Sequence, residues 1–197
     1  MIVGQVQVRA QGDQILDGIG ETGLIARYVF DKDAKDWSRN NLHAEIKGDA
    51  KFVKDELFKN VLALSGQAYI ILPSSALNNV ESISMAGWIK LNAPTSDQFF
   101  FDFGKNQNSH AYVAPFGTGK NENFTTAVSE NRNKDYTLSS SKVGLPKDRW
   151  SHLVLVIDVP SKTIKAFMNG VQVSQKGEIE LELSDIFNVE SGEENQL

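Results

Sequence analysis

Residues 153–173 read Leu153-Val154-Leu155-Val156-Ile157-Asp158-Val159-Pro160-Ser161-Lys162-Thr163-Ile164-Lys165-Ala166-Phe167-Met168-Asn169-Gly170-Val171-Gln172-Val173. The run Leu153–Val159 is apolar apart from Asp158. A short apolar run of that kind reads as a central strand, covered on both faces. Pro160-Ser161-Lys162 breaks it, and Asn169-Gly170 then separates Thr163–Met168 from Val171–Val173. Asn-Gly between two strand-like runs is a strong hairpin signal, because a type I′ turn needs φ > 0 at both central residues. The stretch predicts a hairpin beside a central strand.

The same period of two recurs elsewhere in the chain. Ile83, Met85, Ile89 and Leu91 share one parity with Gly87, while Ser82, Ser84, Ala86, Trp88 and Lys90 take the other. Tyr28 and Phe30 alternate with Arg27 and Asp31, and Val6, Val8 and Ala10 alternate with Gln5, Gln7 and Arg9. Ala68–Leu72 and Gln98–Phe103 are short apolar runs. Breaks at Pro73-Ser74-Ser75, Asn92-Ala93-Pro94, Gly117-Thr118-Gly119 and Leu145-Pro146-Lys147-Asp148 space the strands regularly. The pattern predicts an all-β, two-sheet antiparallel sandwich. The helical candidates are short: Asp49–Asn60, and single turns near Ser74–Asn79 and Leu183–Phe187. Residues 1–22 read as a leading strand and a Gly-rich linker, residues 23–197 as the domain, and Glu190–Leu197 as an acidic, frayed tail.

Composition removes several function classes. The 197 residues carry 20 Lys+Arg against 25 Asp+Glu, a net charge of −5, with 41% hydrophobic residues. Such a chain buries a core without staples. No cysteine is present, which excludes disulfides, thiolate catalysis and Cys-ligated zinc. An acidic chain without a basic run is not expected to bind nucleic acid. No stretch approaches the roughly 18 apolar residues of a membrane-spanning helix. The N-terminus lacks the charged and apolar regions of a secretory signal, so the chain reads as cytosolic or as a piece of a longer secreted protein. Gly-x-Ser-x-Gly is absent, and Gly117-Thr118-Gly119-Lys120 lacks the spacing of a phosphate-binding loop.

Three groups of residues carry candidate chemistry. Sugars are held by aromatic faces together with amides and carboxylates that hydrogen-bond hydroxyls. The segments Lys105–Tyr112, Phe116–Phe124 and Glu130–Tyr136 combine both, and Asn106, Asn108, His110, Tyr112, Asn121, Asn123 and Tyr136 are the candidate ligand contacts. Trp37, in a separate loop, is a further aromatic candidate. Asp31, Asp33 and Asp36 lie close to Ser38, Asn40 and Asn41; hard oxygens at that density suit Ca²⁺, and equally suit a loop whose side chains cap its own backbone. Glu178, Glu180 and Glu182 share one face if their segment is a strand. A pair of carboxylates there would serve glycoside cleavage; the alternative is a solvated face with Ile179, Leu181 and Leu183 turned inward.

Four blocks, taken in order, resemble the laminin-G-like, concanavalin A-like jelly-roll family. They are Gly23–Asp31 with Asp36–His43, then Val61–Pro73, then Ser82–Lys90, and last Arg149–Asp158 with Ile164–Val171. The resemblance implies the jelly-roll sandwich, with Trp88 and Trp150 at core positions and His43 and His152 as hydrogen-bonded structural residues on strands. It implies a non-catalytic carbohydrate-binding or domain-packing module of a secreted, extracellular or periplasmic protein, with a glycan and the catalytic domain of a parent glycoside hydrolase as partners. The rival readings are a laminarinase-like hydrolase using Glu178 and Glu182, and a purely structural or adhesion module. The family's closing strands have no counterpart before Leu197, and an open sheet edge would invite dimers.

Overall fold

The computed structural model describes residues 22–77, 80–106, 108–120, 123–131, 134–140 and 144–187. The leading strand expected at Ile2–Ala10, the acidic tail and Asn121 lie outside the described residues. The chain forms two compact units, residues 1–76 and 77–197. The break falls inside the stretch that the sequence reads as one domain.

The first unit contains β1 (Glu45–Lys47), β2 (Ala50–Asp55), β3 (Lys59–Leu64) and β4 (Tyr69–Ile71). β1 pairs with β4 and β2 pairs with β3, both antiparallel. The β2–β3 hairpin replaces the helix expected over Asp49–Asn60. Its turn explains the difference: Asp55 Oδ1 accepts from the Leu57 and Phe58 amides, and Lys59 sits at φ 66. Such an Asx turn competes with helix continuation. A 3₁₀ turn at Ser74–Leu77 meets the expectation of a single turn there.

The second unit is a sandwich of two four-stranded antiparallel sheets. One has the order β12-β11-β10-β5, from β5 (Ser82–Ile89), β10 (Ser151–Asp158), β11 (Thr163–Met168) and β12 (Val171–Lys176). The other has the order β6-β7-β8-β9, from β6 (Phe101–Asn106), β7 (Ser109–Ala114), β8 (Phe124–Asn131) and β9 (Lys134–Ser140). The antiparallel β-sandwich inferred from period two is thus the fold. β10 is central, as expected. Leu153, Leu155 and Ile157 on β10 are fully buried beside Ile164 and Ala166 of β11. Each leucine and isoleucine among them contributes roughly 1.5–3 kcal/mol of burial. Val154 and Val156 are half-buried, so the second face of β10 is only partly covered.

The β11–β12 turn is Asn169-Gly170 at φ 51 and φ 81, the positive pair that its sequence demands. The Asn169 side chain also accepts the His152 amide at 2.8 Å and ties the turn to β10. From Gly177 the chain runs irregularly to α1 (Leu183–Ile186), one short turn closed by a reciprocal Glu182–Asp185 capping box. Ile179, Leu181, Leu183, Ile186 and Phe187 are all buried along it.

Two glycines make the sheets possible. A Cβ on Gly87 would lie 2.7 Å from the tip of the Phe100 ring, which presses on β5. A Cβ on Gly104 would lie 2.3 Å from both the Ser109 carbonyl and the His110 Cβ. That second clash involves backbone and cannot be relieved by a rotamer. Gly104→Ala is expected to cost at least about 1–3 kcal/mol of stability, the range for overpacking. Gly177→Ala, with nothing within 4 Å of the added carbon, is the control. Urea unfolding of the two variants checks the difference; equal midpoints would remove the role assigned to Gly104.

Candidate functional site

The site follows from the parity of β7. Ala111 and Val113 are buried, so His110 and Tyr112 stand on the outer face of the β6-β7-β8-β9 sheet. Register then selects their neighbours. Tyr112 lies opposite Asp102 on β6 and Ala127 on β8, and Ala127 lies opposite Thr137 on β9. His110 lies opposite Gly104 and Ser129, and Ser129 lies opposite Asp135. Ala127 is small and 2% exposed, which leaves the Tyr112 ring room to lie over it.

Gly104 opens the way for the His110 side chain over β6. His110 Nδ1 stands 2.8 Å from Asp102 Oδ1, joining a diagonal cross-strand pair. The His110 and Tyr112 rings are 5.2 Å apart, and Phe99 meets Tyr112 edge-on at 5.4 Å. Phe99 is 44% exposed, so an aromatic surface with an open side is present. Around it are acids. Asp135 accepts from the Thr137 hydroxyl at 2.7 Å, and Asp97 accepts the Gly119 amide at 3.0 Å. Burial raises the Tyr112 hydroxyl above the usual phenol range; a hydrogen bond with Thr118 opposes this, and the charges of Asp135, Asp102 and Asp97 reinforce it.

The other expected contacts are distributed differently. Asn106 ends β6, and its Oδ1 accepts the Asn108 amide at 2.9 Å, so this pair shapes the β6–β7 turn. Asn123 precedes β8, where its carbonyl accepts the Thr125 hydroxyl. Tyr136 is a correction. It pairs with Val128 and so has the inner parity, and its hydroxyl accepts the Glu180 amide at 3.1 Å. Trp37 belongs to the first unit, is 48% exposed, and has the Lys32 ammonium 5.8 Å from its ring centroid. Asp102, Phe99, Asp97 and Asp135 were missed by sequence reading. The available signal was Asp102 itself, the single acid inside Phe99-Phe100-Phe101-Asp102-Phe103.

Trp88 is a second correction. The resemblance places it in the core, yet it is 52% exposed and stacks obliquely on His152, its cross-strand partner, at 5.1 Å. Its parity is that of Ser82 and Ser84, and parity prevails. Trp150 is half-buried with the Lys90 ammonium 5.0 Å from its ring.

The carboxylate ladder takes the second of its two expected forms, the solvated face, without the strand. Glu178 sits at φ 58 and the segment Gly177–Glu182 is not a strand. Glu178, Glu180 and Glu182 are exposed while Ile179, Leu181 and Leu183 are buried. Glu182 is spent on the cap of α1.

In the first loop, Asp36 is buried and receives four hydrogen bonds. They come from the amides of Arg27 (2.9 Å), Ser38 (2.8 Å) and Leu42 (2.9 Å) and from the Ser38 hydroxyl (2.6 Å). Its own amide donates to His43 Nδ1 at 3.1 Å, which gives His43 the structural role expected of it. Asp33 caps Lys35. Asp36 is committed to its own backbone, and among the described residues no three His, Cys, Asp or Glu side chains are grouped to hold a metal ion. The loop is built as a backbone cap.

The family model described as the concanavalin A-like lectin/glucanases superfamily matches residues 64–184, and the chain belongs to that family. A solved structure similar to it is domain 4 of AbnA, a GH43 extracellular arabinanase from Geobacillus stearothermophilus, in complex with arabinotriose. The two share 21% identity over 81% of this chain and 77% of that one, with a TM-score of 0.65. The binding domain of botulinum neurotoxin DC, in complex with rat synaptotagmin II, shares 16% identity over 77% of this chain and 38% of that one, with a TM-score of 0.56. The same toxin domain in complex with SialylT shares 14% identity over 79% and 38%, with a TM-score of 0.52. No curated protein matches the chain. No described helix is long and apolar enough to cross a membrane.

Asp36 also sets an acid limit. Burial alone would raise its carboxyl; the hydrogen bonds from Arg27, Ser38 and Leu42 outweigh that and hold it below the usual carboxylate range. A lowered folded pKa gives stability that is full above the unfolded value, about 3.9, and drains as pH falls through the folded one. Hydrogen exchange at the Ser38 and Leu42 amides is therefore expected to accelerate, relative to the intrinsic rate, below about pH 4. In Asp36→Asn this extra acid dependence should vanish. An unchanged profile in the variant would show that another group sets the limit.

Proposed function

We propose that this chain is a non-catalytic carbohydrate-binding module, and that the outer face of the β6-β7-β8-β9 sheet binds the glycan. One observation carries the reading: a Tyr112–Phe99 aromatic surface, flanked by His110, lies among carboxylates that retain acceptor capacity. Asp102 spends one oxygen on His110 and Asp135 one on Thr137. A carboxylate oxygen accepts two hydrogen bonds, so both can still take sugar hydroxyls. The ring offers a flat apolar face to the C–H side of a sugar. The arabinotriose complex of the arabinanase domain supports a glycan as the ligand class.

The module is read as part of a secreted carbohydrate-active protein, its partner being that protein's catalytic domain. A domain-packing role is favoured at one other place. Trp88, Val154, Val156 and Phe167 share the outer parity of the opposite sheet and leave apolar surface there.

The test is calorimetric titration with arabinotriose and a panel of neutral oligosaccharides, in Ca²⁺ and again in EDTA. Tyr112→Ala should weaken binding at least tenfold, about 1.4 kcal/mol, as loss of a stacking aromatic does. Tyr136→Phe, which removes only the inner hydroxyl that holds Glu180, should bind like the parent chain. Silence across the panel from a folded chain would end the reading. Equal loss in both variants would relocate the site.

A further inference from the structure

Three carboxylates border the aromatic surface, and they come from separate parts of the unit. Asp102 is on β6, Asp135 is on β9, and Asp97 lies in the loop before β6. Register puts Asp102 beside Tyr112, and Asp135 on the same face, two strands from His110. Asp97 is held toward the Gly117–Gly119 turn by two bonds: its amide donates to the Gly117 carbonyl at 2.9 Å, and its carboxylate accepts the Gly119 amide. Thr118, in that turn, reaches the Tyr112 hydroxyl. The acids thus share one face of the sheet with the ring, from β6 on one side, from β9 on the other and from the loop before β6. Lys134, next to Asp135 in sequence, has the opposite parity and is paired with Glu130 at 3.0 Å.

Resting on the glycan reading of this site, we propose that Asp97, Asp102 and Asp135 make it select neutral oligosaccharides and reject uronate- or sialate-containing ones. The physical reason is twofold. A carboxylate is acceptor-only, so it pairs with a hydroxyl and finds no donor on a sugar carboxylate. Unpaired like charges brought together also cost free energy, and a site built with one sign of charge rejects the wrong partner by that repulsion. Specificity then comes from the rim of acids, and affinity from the ring.

The experiment uses matched pairs, titrated in EDTA so that no divalent ion bridges two carboxylates. Galactan fragments are set against polygalacturonate fragments, lactose against sialyllactose, and arabinotriose serves as a further neutral probe. The neutral partner should bind at least about tenfold tighter at low salt, and the gap should shrink as salt screens the repulsion. Asp135→Asn should narrow the gap, and the triple Asp97→Asn, Asp102→Asn, Asp135→Asn variant should narrow it further. The single variant keeps the test decisive if the triple one does not fold. Equal or tighter binding of the acidic partner would overturn the selectivity and leave the glycan site standing. Silence from every probe would overturn the site and the selectivity together.

Discussion

β7 is hydrogen-bonded on both sides, to β6 and to β8, and that pairing leaves one assignment of its faces. Ala111 and Val113 go into the sandwich, and His110 and Tyr112 go out. A slip of one residue would bury an imidazole and a phenol and expose two aliphatic side chains, a costly exchange. Because the register is enforced by the core, it also fixes what meets on the outside. Asp102, Ala127, Thr137, Ser129 and Asp135 become neighbours of the two rings through strand pairing alone. The surface read as a glycan site is therefore a by-product of how the core closes.

The first unit depends on a different device. Its Tyr28–His43 region has little regular pairing, and Asp36 substitutes for it by collecting three amides and a hydroxyl. Tyr28 belongs to the same arrangement. Its hydroxyl donates to the Leu42 carbonyl, and burial with the nearby Asp36 charge pushes its pKa up to about 12. Asn40 completes the loop by donating its side-chain amide to the Leu24 and Ile25 carbonyls. A carboxylate committed to so many donors is a structural part. Oxygen-rich loops therefore resist interpretation from sequence: the same Asp, Ser and Asn residues serve a cation or their own backbone, and only their directions tell which.

Much of the fold was legible because burial is periodic. Strands β5, β10 and β11 follow the parity of their apolar residues, and Asn169-Gly170 announced its turn. The errors share a cause as well. The composition of Asp49–Asn60 suits a short helix as well as an Asx-turn hairpin, because polar and apolar residues fall on both strands. The family resemblance points Trp88 to the core, against its own parity on β5. Tyr136 was grouped with Tyr112 by proximity in the chain, although the β8–β9 register gives it the other face. Asp102 and Phe99 escaped notice inside a run that read as simple core.

Period two and turn chemistry already specify an all-β sandwich in the sequence, and the absence of cysteine leaves its apolar core to hold it without disulfides. The sequence also supplied His110 and Tyr112 as candidates. Which side chains share a surface depends on the pairing of strands. Strand pairing joins residues far apart in the chain, such as Asp102, Tyr112, Ala127 and Thr137, and a one-residue change of register would exchange one face for the other. That information resides in the pairing of strands, which no local stretch of sequence contains.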